Sequence, residues 1–241
     1  MQAATKKPDY GIDAPDVIRN LLLIGVALLI GFGVARYFAQ PWQYSFLATG
    51  IALITGGLLM LSYSKWGKLL HRARMLRLHA WRGGEQVLDV GTGRGLLLIG
   101  VAKKLTTGRA TGIDIWNAAD LSGNTRMRTE QNLAVEGVAH KCALMDENAA
   151  QMSFADESFD VVLSNLCLHN IEDRVMRLKA VREIARVLKP DGCVILSDFK
   201  NTGEYARELR KAGLHTRRRW PNFLTTFPPL TIVVARKSGR P

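Results

Sequence analysis

Two apolar stretches dominate the first quarter of the chain. The first, residues 17–38, holds an apolar run over 21–35 flanked by Arg19 and Arg36; the second, residues 44–63, carries no charge. About 20 apolar residues span a bilayer's hydrocarbon core as a helix, so the second meets that length and the first needs its arginines to reach outward. Only residues 39–43 separate them, and Pro41 blocks a continuous helix. The pattern predicts a two-helix transmembrane hairpin over 17–63, behind an N-terminal tail of residues 1–16. Trp42, Tyr44 and Tyr63 stand where interfacial aromatics belong. Ala27, Gly31 and Ala35, then Ala48, Ala52 and Gly56, recur at four-residue spacing and predict the faces on which the helices meet. Two rival readings stay open. One is a secretory signal, which the distant charged start and the lack of a small-x-small cleavage pattern disfavour. The other is a buried helical hairpin of a soluble protein.

From residue 86 the pattern changes. Apolar runs of strand length (86–90, 110–113, 141–145, 160–164, 193–197, 215–219 and 231–235) alternate with helix-length segments at 96–105, 122–136 and 173–188. Such alternation predicts an α/β domain over 85–241, a parallel sheet with helices on both faces. The last two strands have no helix between them and are expected to pair as an antiparallel hairpin.

Charge adds a direction. The 241 residues are 47% hydrophobic, enough for a real core, yet carry a formal net charge of +12. Such a charge seeks polyanions, either nucleic acid or an anionic membrane face. Lys65, Lys68, Arg72, Arg74, Arg77 and Arg82 follow the second apolar stretch with no acid before Glu85. The positive-inside rule makes that flank cytoplasmic, and a hairpin brings Lys6 and Lys7 to the same side. Residues 64–84 read as a basic amphipathic juxtamembrane segment. Farther on, Arg217, Arg218 and Arg219 precede Trp220 and Phe223. Because a hairpin already holds the chain at the bilayer, the membrane is favoured over nucleic acid there too. The expectation is a multi-pass membrane protein with a cytoplasmic catalytic domain. Cys142, Cys167 and Cys193 form no CxxC pair and read as separate reduced thiols, and no metal site is expected.

The chemistry concentrates in Val87-Leu88-Asp89-Val90-Gly91-Thr92-Gly93-Arg94-Gly95, an apolar strand running into a glycine-rich turn and a helix. Dinucleotide sites use GxGxxG; here the spacing is GxGxG, and Leu96 replaces the third fingerprint glycine. Asp89 just before the turn would repel a pyrophosphate but suits a ligand with a cationic amino group. Asp114 ends the second strand, about 20 residues on, where an acid accepts ribose hydroxyls.

LDVGTGRG, GIDI, NAAQMSFADESFDVVLSN and RVLKPDG, in that order over residues 86–213, resemble the motifs of class I methyltransferases, particularly the UbiE-like branch (methyltransferase type 11). The resemblance implies a Rossmann-like seven-stranded sheet and S-adenosyl-L-methionine as cofactor. It further implies that Gly91, Gly93 and Gly95, with Thr92 in the same turn, border the methionine part. Asp89 would hold the ammonium, Asp114 the ribose hydroxyls, and Ile115 one adenine face. The family often has an acid at the adenine edge; here Asn148 stands in that place, with Asp146 two residues off register and the backbone of Ala149 nearby. Asn165 would end the fourth strand facing the methyl donor. It lacks the Pro-Pro-aromatic run of enzymes that methylate planar amines, which argues against a nucleobase amine as acceptor.

Methyl transfer from a sulfonium needs a base only if the acceptor has a proton to lose, and His169 is the candidate. Together these readings give a membrane-anchored methyltransferase acting on a small lipophilic acceptor. The alternative is a non-catalytic membrane-anchored adaptor or sensor that binds the same cofactor. A nicotinamide-dependent oxidoreductase fits the glycine spacing less well. Acceptor and oligomeric state stay open.

Overall fold

The structure, a computed structural model, describes residues 7–238. Lys6, invoked above for its charge, lies outside the described residues. Two long helices come first, α1 (Pro15–Tyr37) and α2 (Gln43–Ser62); α2 continues through a π turn at Tyr63–Gly67 into α3 (Lys68–Leu76). Both apolar helices are long enough to cross a membrane, and only 11% of the apolar window in each is buried. A hairpin serving as a soluble core would be mostly buried; this one leaves Leu23, Ile24, Ile30, Val34, Ile51 and Leu58 exposed.

The helices pair only in part through the residues that the four-residue spacing suggested: Gly31 packs on Phe46 and Ala35 is buried. Ala27, Ala48 and Ala52 are exposed. The close approach is made by Gly25, where a Cβ would stand 3.0 Å from the Gly50 carbonyl, and by Gly50 and Gly57, which take the side chains of Leu29 and Leu22. Gly50 and Gly57 are seven residues apart, and so are Ile18 and Gly25 on α1, all four buried. A seven-residue repeat keeps one seam facing the partner over the full helix length, whereas a strict four-residue repeat drifts off it.

The remaining chain forms a seven-stranded sheet in the order β3-β2-β1-β4-β5-β7-β6. The strands are β1 (Gln86–Val90), β2 (Arg109–Asp114), β3 (Cys142–Asp146), β4 (Phe159–Asn165), β5 (Leu188–Asp198), β6 (Leu214–Arg218) and β7 (Thr231–Lys237). The first five run parallel, and β7 lies antiparallel between β5 and β6. The expected terminal hairpin is therefore present, inserted so that β7 rather than β6 joins the parallel strands.

Alternation along each strand builds two cores. Leu88, Val162, Val194 and Leu196 face the layer of α6 (Arg174–Val187) and α7 (Thr202–Lys211). Val87, Val161, Leu163 and Ile195 face α3, α4 (Leu96–Ala102) and α5 (Arg126–Val135). Asp173 caps α6 through the Val175 amide at 2.6 Å, and the Thr125 hydroxyl caps α5. The helix α7 was not read from the sequence pattern.

Two N-terminal expectations need revision. The segment 64–84 does not give its whole apolar side to a membrane surface: Met75 and Leu76 are buried in the sheet's core layer, while Trp66 and Leu70 stay exposed. Nor do residues 9–14 hang free as a tail. They run along the α/β domain, with the Ser122 amide donating to the Ile12 carbonyl at 3.0 Å and the Ala14 amide to the Asp120 carbonyl at 3.1 Å. Arg94 pairs with Asp9 at 2.8 Å, and the Tyr10 hydroxyl donates to Glu136.

Candidate functional site

A cavity of about 410 Å³ opens at the carboxyl ends of β1, β2 and β4. This is where open α/β sheets bind ligands, and the volume is within the range of small-molecule sites. Asp89, Gly91, Thr92, Gly93, Asp114, Ile115, Asn148, Ala149 and Asn165 all line it; Gly95 caps α4 just behind and His169 stands beside it.

The glycine turn is shaped by what packs behind it. Gly91 has φ +72°, and a Cβ there would lie 2.2 Å from the Cys167 sulfur. The Gly91 and Thr92 amides both donate to the Ile113 carbonyl, tying the turn to β2. Thr92 is buried, donates its hydroxyl to Asp89 Oδ2 at 2.8 Å and packs over Gly112.

The two predicted carboxylates brace this turn. Asp89 Oδ2 also accepts from the Leu98 amide at 3.0 Å. Both of its bonds end on Oδ2, so Oδ1 is the oxygen left for a ligand's cationic group. Burial raises the Asp89 carboxyl to about 7, although the bonds from Thr92 and Leu98 oppose the shift. Asp114 Oδ2 accepts from the Gly93 amide at 2.7 Å, and Oδ1 from the Trp116 amide at 2.7 Å. Carboxylate oxygens have further lone pairs, so this bracing does not exhaust Asp114. Asn148 is exposed at the cavity rim, its Oδ1 accepting from the Ala150 amide at 2.8 Å. Asp146, the off-register acid, is engaged elsewhere, with Trp116 and Arg126.

Around β4 and β5 the polar groups are less spent. Asn165, which lines the cavity, and the Tyr63 hydroxyl, which does not, are buried facing each other without regular hydrogen-bond geometry. His169 Nδ1 lies 2.9 Å from Oδ1 of the nearly inaccessible Asp198. The Tyr205 hydroxyl and the His169 amide donate to Asp198 Oδ2, and the His169 ring packs edge-on against Phe199. The Nδ1–Asp198 contact is close but lacks hydrogen-bond alignment, so it sets the imidazole beside a buried carboxylate without fixing the ring.

Sequence reasoning missed several groups. Glu147, next to the adenine-edge position, lines the cavity, and so does Asn124, whose Oδ1 is buried without a partner. Burial raises Asp120, another lining carboxyl, above the ordinary range. Tyr10, Asp13 and Lys68 close the opposite side. The Lys68 ammonium donates to the Tyr10 carbonyl at 2.8 Å, the Gly11 carbonyl at 2.6 Å and Asp13 at 3.1 Å. Residues 9–13 form a short extended strap with no periodicity, so nothing in the sequence pattern announced them.

A family model described as a methyltransferase domain matches residues 88–196. Together with the fold, the match supports a class I methyltransferase domain over those residues. Its cofactor is S-adenosylmethionine, and the residues fit that group: a glycine cradle that a Cβ would fill, an acid with one free oxygen, and a second acid at the next strand end. A ubiquinone/menaquinone biosynthesis C-methyltransferase UbiE from Bdellovibrio bacteriovorus is 31% identical over 134 residues, covering 54% of this chain and 51% of that protein. The chain thus spans about half the length of the curated relatives it matches. Among solved structures, a SAM-dependent methyltransferase from Aquifex aeolicus aligns with a TM-score of 0.55 at 19% identity, covering 70% of this chain and 90% of that one. The [4+2]-cyclase SpnF aligns with a TM-score of 0.60 at 18% identity, covering 71% and 81%. These likenesses establish the fold; the second shows that the fold also serves a protein named for a different reaction.

Proposed function

We propose that the protein is a membrane-anchored methyltransferase that moves the methyl group of S-adenosylmethionine to a small lipophilic acceptor drawn from the bilayer. One observation carries the acceptor side. Asp13 and Lys68, at the two ends of the apolar hairpin, line the same cavity as Asp89 and Gly93. An acceptor leaving the membrane along the hairpin meets the methyl-donor crevice without crossing the solvent.

When bound, the cofactor supplies a methyl group already activated on a sulfonium. Asp89 Oδ1 would take the ammonium, the turn from Gly91 to Gly95 the methionine part, and Asp114 the ribose hydroxyls. Ile115, Asn148 and Ala149 would border the adenine. Positioning supplies much of the rate in such a displacement, and the bracing of Asp89 and Asp114 supports a preorganised crevice. Asn165 offers a polar group to orient the acceptor, with the Tyr63 hydroxyl facing it from behind the cavity wall. Where the acceptor gives up a proton, His169 Nε2 takes it while Asp198 beside Nδ1 stabilises the imidazolium. The quinone-precursor class fits this site, being lipophilic and carrying acidic hydroxyls, and the UbiE relatives named for ubiquinone/menaquinone biosynthesis support that choice.

The test is transfer of labelled methyl from S-adenosylmethionine to an extract of bacterial membrane lipids. The reading expects label in a lipid-soluble product and none in nucleic acid. Label confined to water-soluble products would remove the lipophilic acceptor, and no transfer at all would favour the adaptor alternative.

A further inference from the structure

The loop from Trp220 to Phe227 is built inside out. Its polar residues Asn222 and Thr226 are buried, whereas Trp220, Phe223 and Leu224 are 89%, 73% and 95% exposed. The inversion is held by the loop's own hydrogen bonds. Asn222 Oδ1 accepts from the Leu224 amide at 3.1 Å and the Thr225 amide at 3.3 Å, and the Thr226 hydroxyl accepts from the Leu230 amide at 2.9 Å. The Asn222 amide donates to the Leu230 carbonyl at 2.9 Å, so the two ends are clasped. A loop folded for water would turn Phe223 and Leu224 inward; this one spends its polar groups on holding them outward.

Its position says what it meets. At Gly67 a Cβ would lie 2.4 Å from the Thr225 carbonyl, so the loop sits directly on the foot of the hairpin. Phe227 reaches 3.9 Å from where a Cβ of Gly56 would stand. Gly56 lies six residues before the end of α2, about 9 Å along the helix axis. The loop therefore climbs beside the segment that is apolar enough to span a bilayer. Arg217, Arg218 and Arg219 lead into it, none of them in an ion pair among the described residues. Apolar tips above a basic collar, next to a hairpin, match an anionic lipid surface.

We propose that Trp220–Phe227 is a third membrane-binding element, inserting Phe223 and Leu224 into the cytoplasmic leaflet of an anionic bilayer beside the hairpin. The proposal rests on the hairpin spanning that bilayer. It would fix the height and tilt of the domain, which a two-helix anchor alone leaves free to rock. Through Thr225, Gly67 and Tyr63 the loop also abuts the wall that carries Asn165, so the cavity's acceptor side is held at the lipid surface.

The experiment places an environment-sensitive NBD label on single cysteines in a full-length chain whose three native cysteines are alanine, its fold checked by S-adenosylhomocysteine binding. The protein is reconstituted in vesicles of phosphatidylcholine and phosphatidylglycerol with shallow nitroxide lipids. The labelled sites are Leu224→Cys, Ile30→Cys in the hairpin and Lys104→Cys at the exposed end of α4. The expected result is at least twofold quenching at 224 and strong quenching at 30, with none at 104. Quenching at 30 but not at 224 overturns the loop proposal and leaves the hairpin standing. Quenching at neither overturns both, and quenching at 224 alone removes the hairpin and with it the proposal as a third element beside that anchor. Should the cysteine-free chain fail to bind S-adenosylhomocysteine, Trp220→Phe in the native background reads the same contact. It must lower the fraction of tryptophan fluorescence quenched by brominated lipids; an unchanged fraction overturns the insertion.

Discussion

The cavity's two sides use their polar groups in opposite ways. On the side of β1 and β2, Asp89, Thr92 and Asp114 are committed to the turn that they shape, bonded to one another or to the backbone of Gly93, Leu98 and Trp116. On the side of β4 and the hairpin foot, Asn165 and the Tyr63 hydroxyl are buried facing each other without regular hydrogen-bond geometry. The first side is a rigid seat for a donor of fixed shape. The second is less tightly bonded, and it is the side on which the proposed acceptor would enter.

The largest expected effect tests the rigid side. Gly91→Val combines a positive φ with collision against Cys167, together costing about 3 kcal/mol or more. Affinity for S-adenosylhomocysteine should fall by at least about 100-fold, measured by calorimetry. Next comes the other side: His169→Gln should lower kcat by about 100-fold with donor affinity unchanged, provided that the acceptor loses a proton. A loss of donor affinity instead would make His169 a wall residue. Asp114→Ala should weaken donor binding about tenfold or more, since a ribose contact and the brace on Gly93 go together.

A pH titration separates the sides more gently. Because burial raises Asp89 to about 7, its carboxyl is protonated in the ligand-free site below that pH. A donor's ammonium must displace that proton, so affinity should fall as pH drops from 8 to 6, by up to about tenfold per unit below 7. Asp89→Asn should flatten the profile. For folding without ligand the sign reverses. The neutral form is the one favoured by burial, so this contribution to stability is complete below 3.8 and is lost as pH rises through about 7. The smallest effect is expected at Tyr63→Phe, which removes a hydroxyl without regular hydrogen-bond geometry. Thermal stability should hold or rise slightly, while the KM for acceptor rises a few-fold.

The donor side was legible in the sequence because its signals are local. A strand, a glycine turn and an acid at the next strand end are continuous patterns, and the residues read from them line one cavity, except Gly95, which caps α4 behind it. The acceptor side was not, since it is assembled from the strap at 9–13, Tyr63, Lys68 and the end of β5, which are far apart in sequence. Lys68 read as one of six bases near a membrane, but its ammonium is buried against the strap's carbonyls. The hairpin was visible from hydropathy alone, yet its seam was read only in part, because small residues at four-residue spacing are common and only packing shows which face is used. Segment 64–84 misled for a related reason: an amphipathic helix presents the same pattern to a bilayer and to a sheet.

Calorimetric titration of the full-length protein in detergent with S-adenosylhomocysteine, and separately with NADH, bears most directly on the crevice after β1. One site per chain for the first, weakened by Asp114→Ala, and no heat from the second are the predicted outcomes. Binding of NADH, or no binding of S-adenosylhomocysteine by folded protein, would contradict the account.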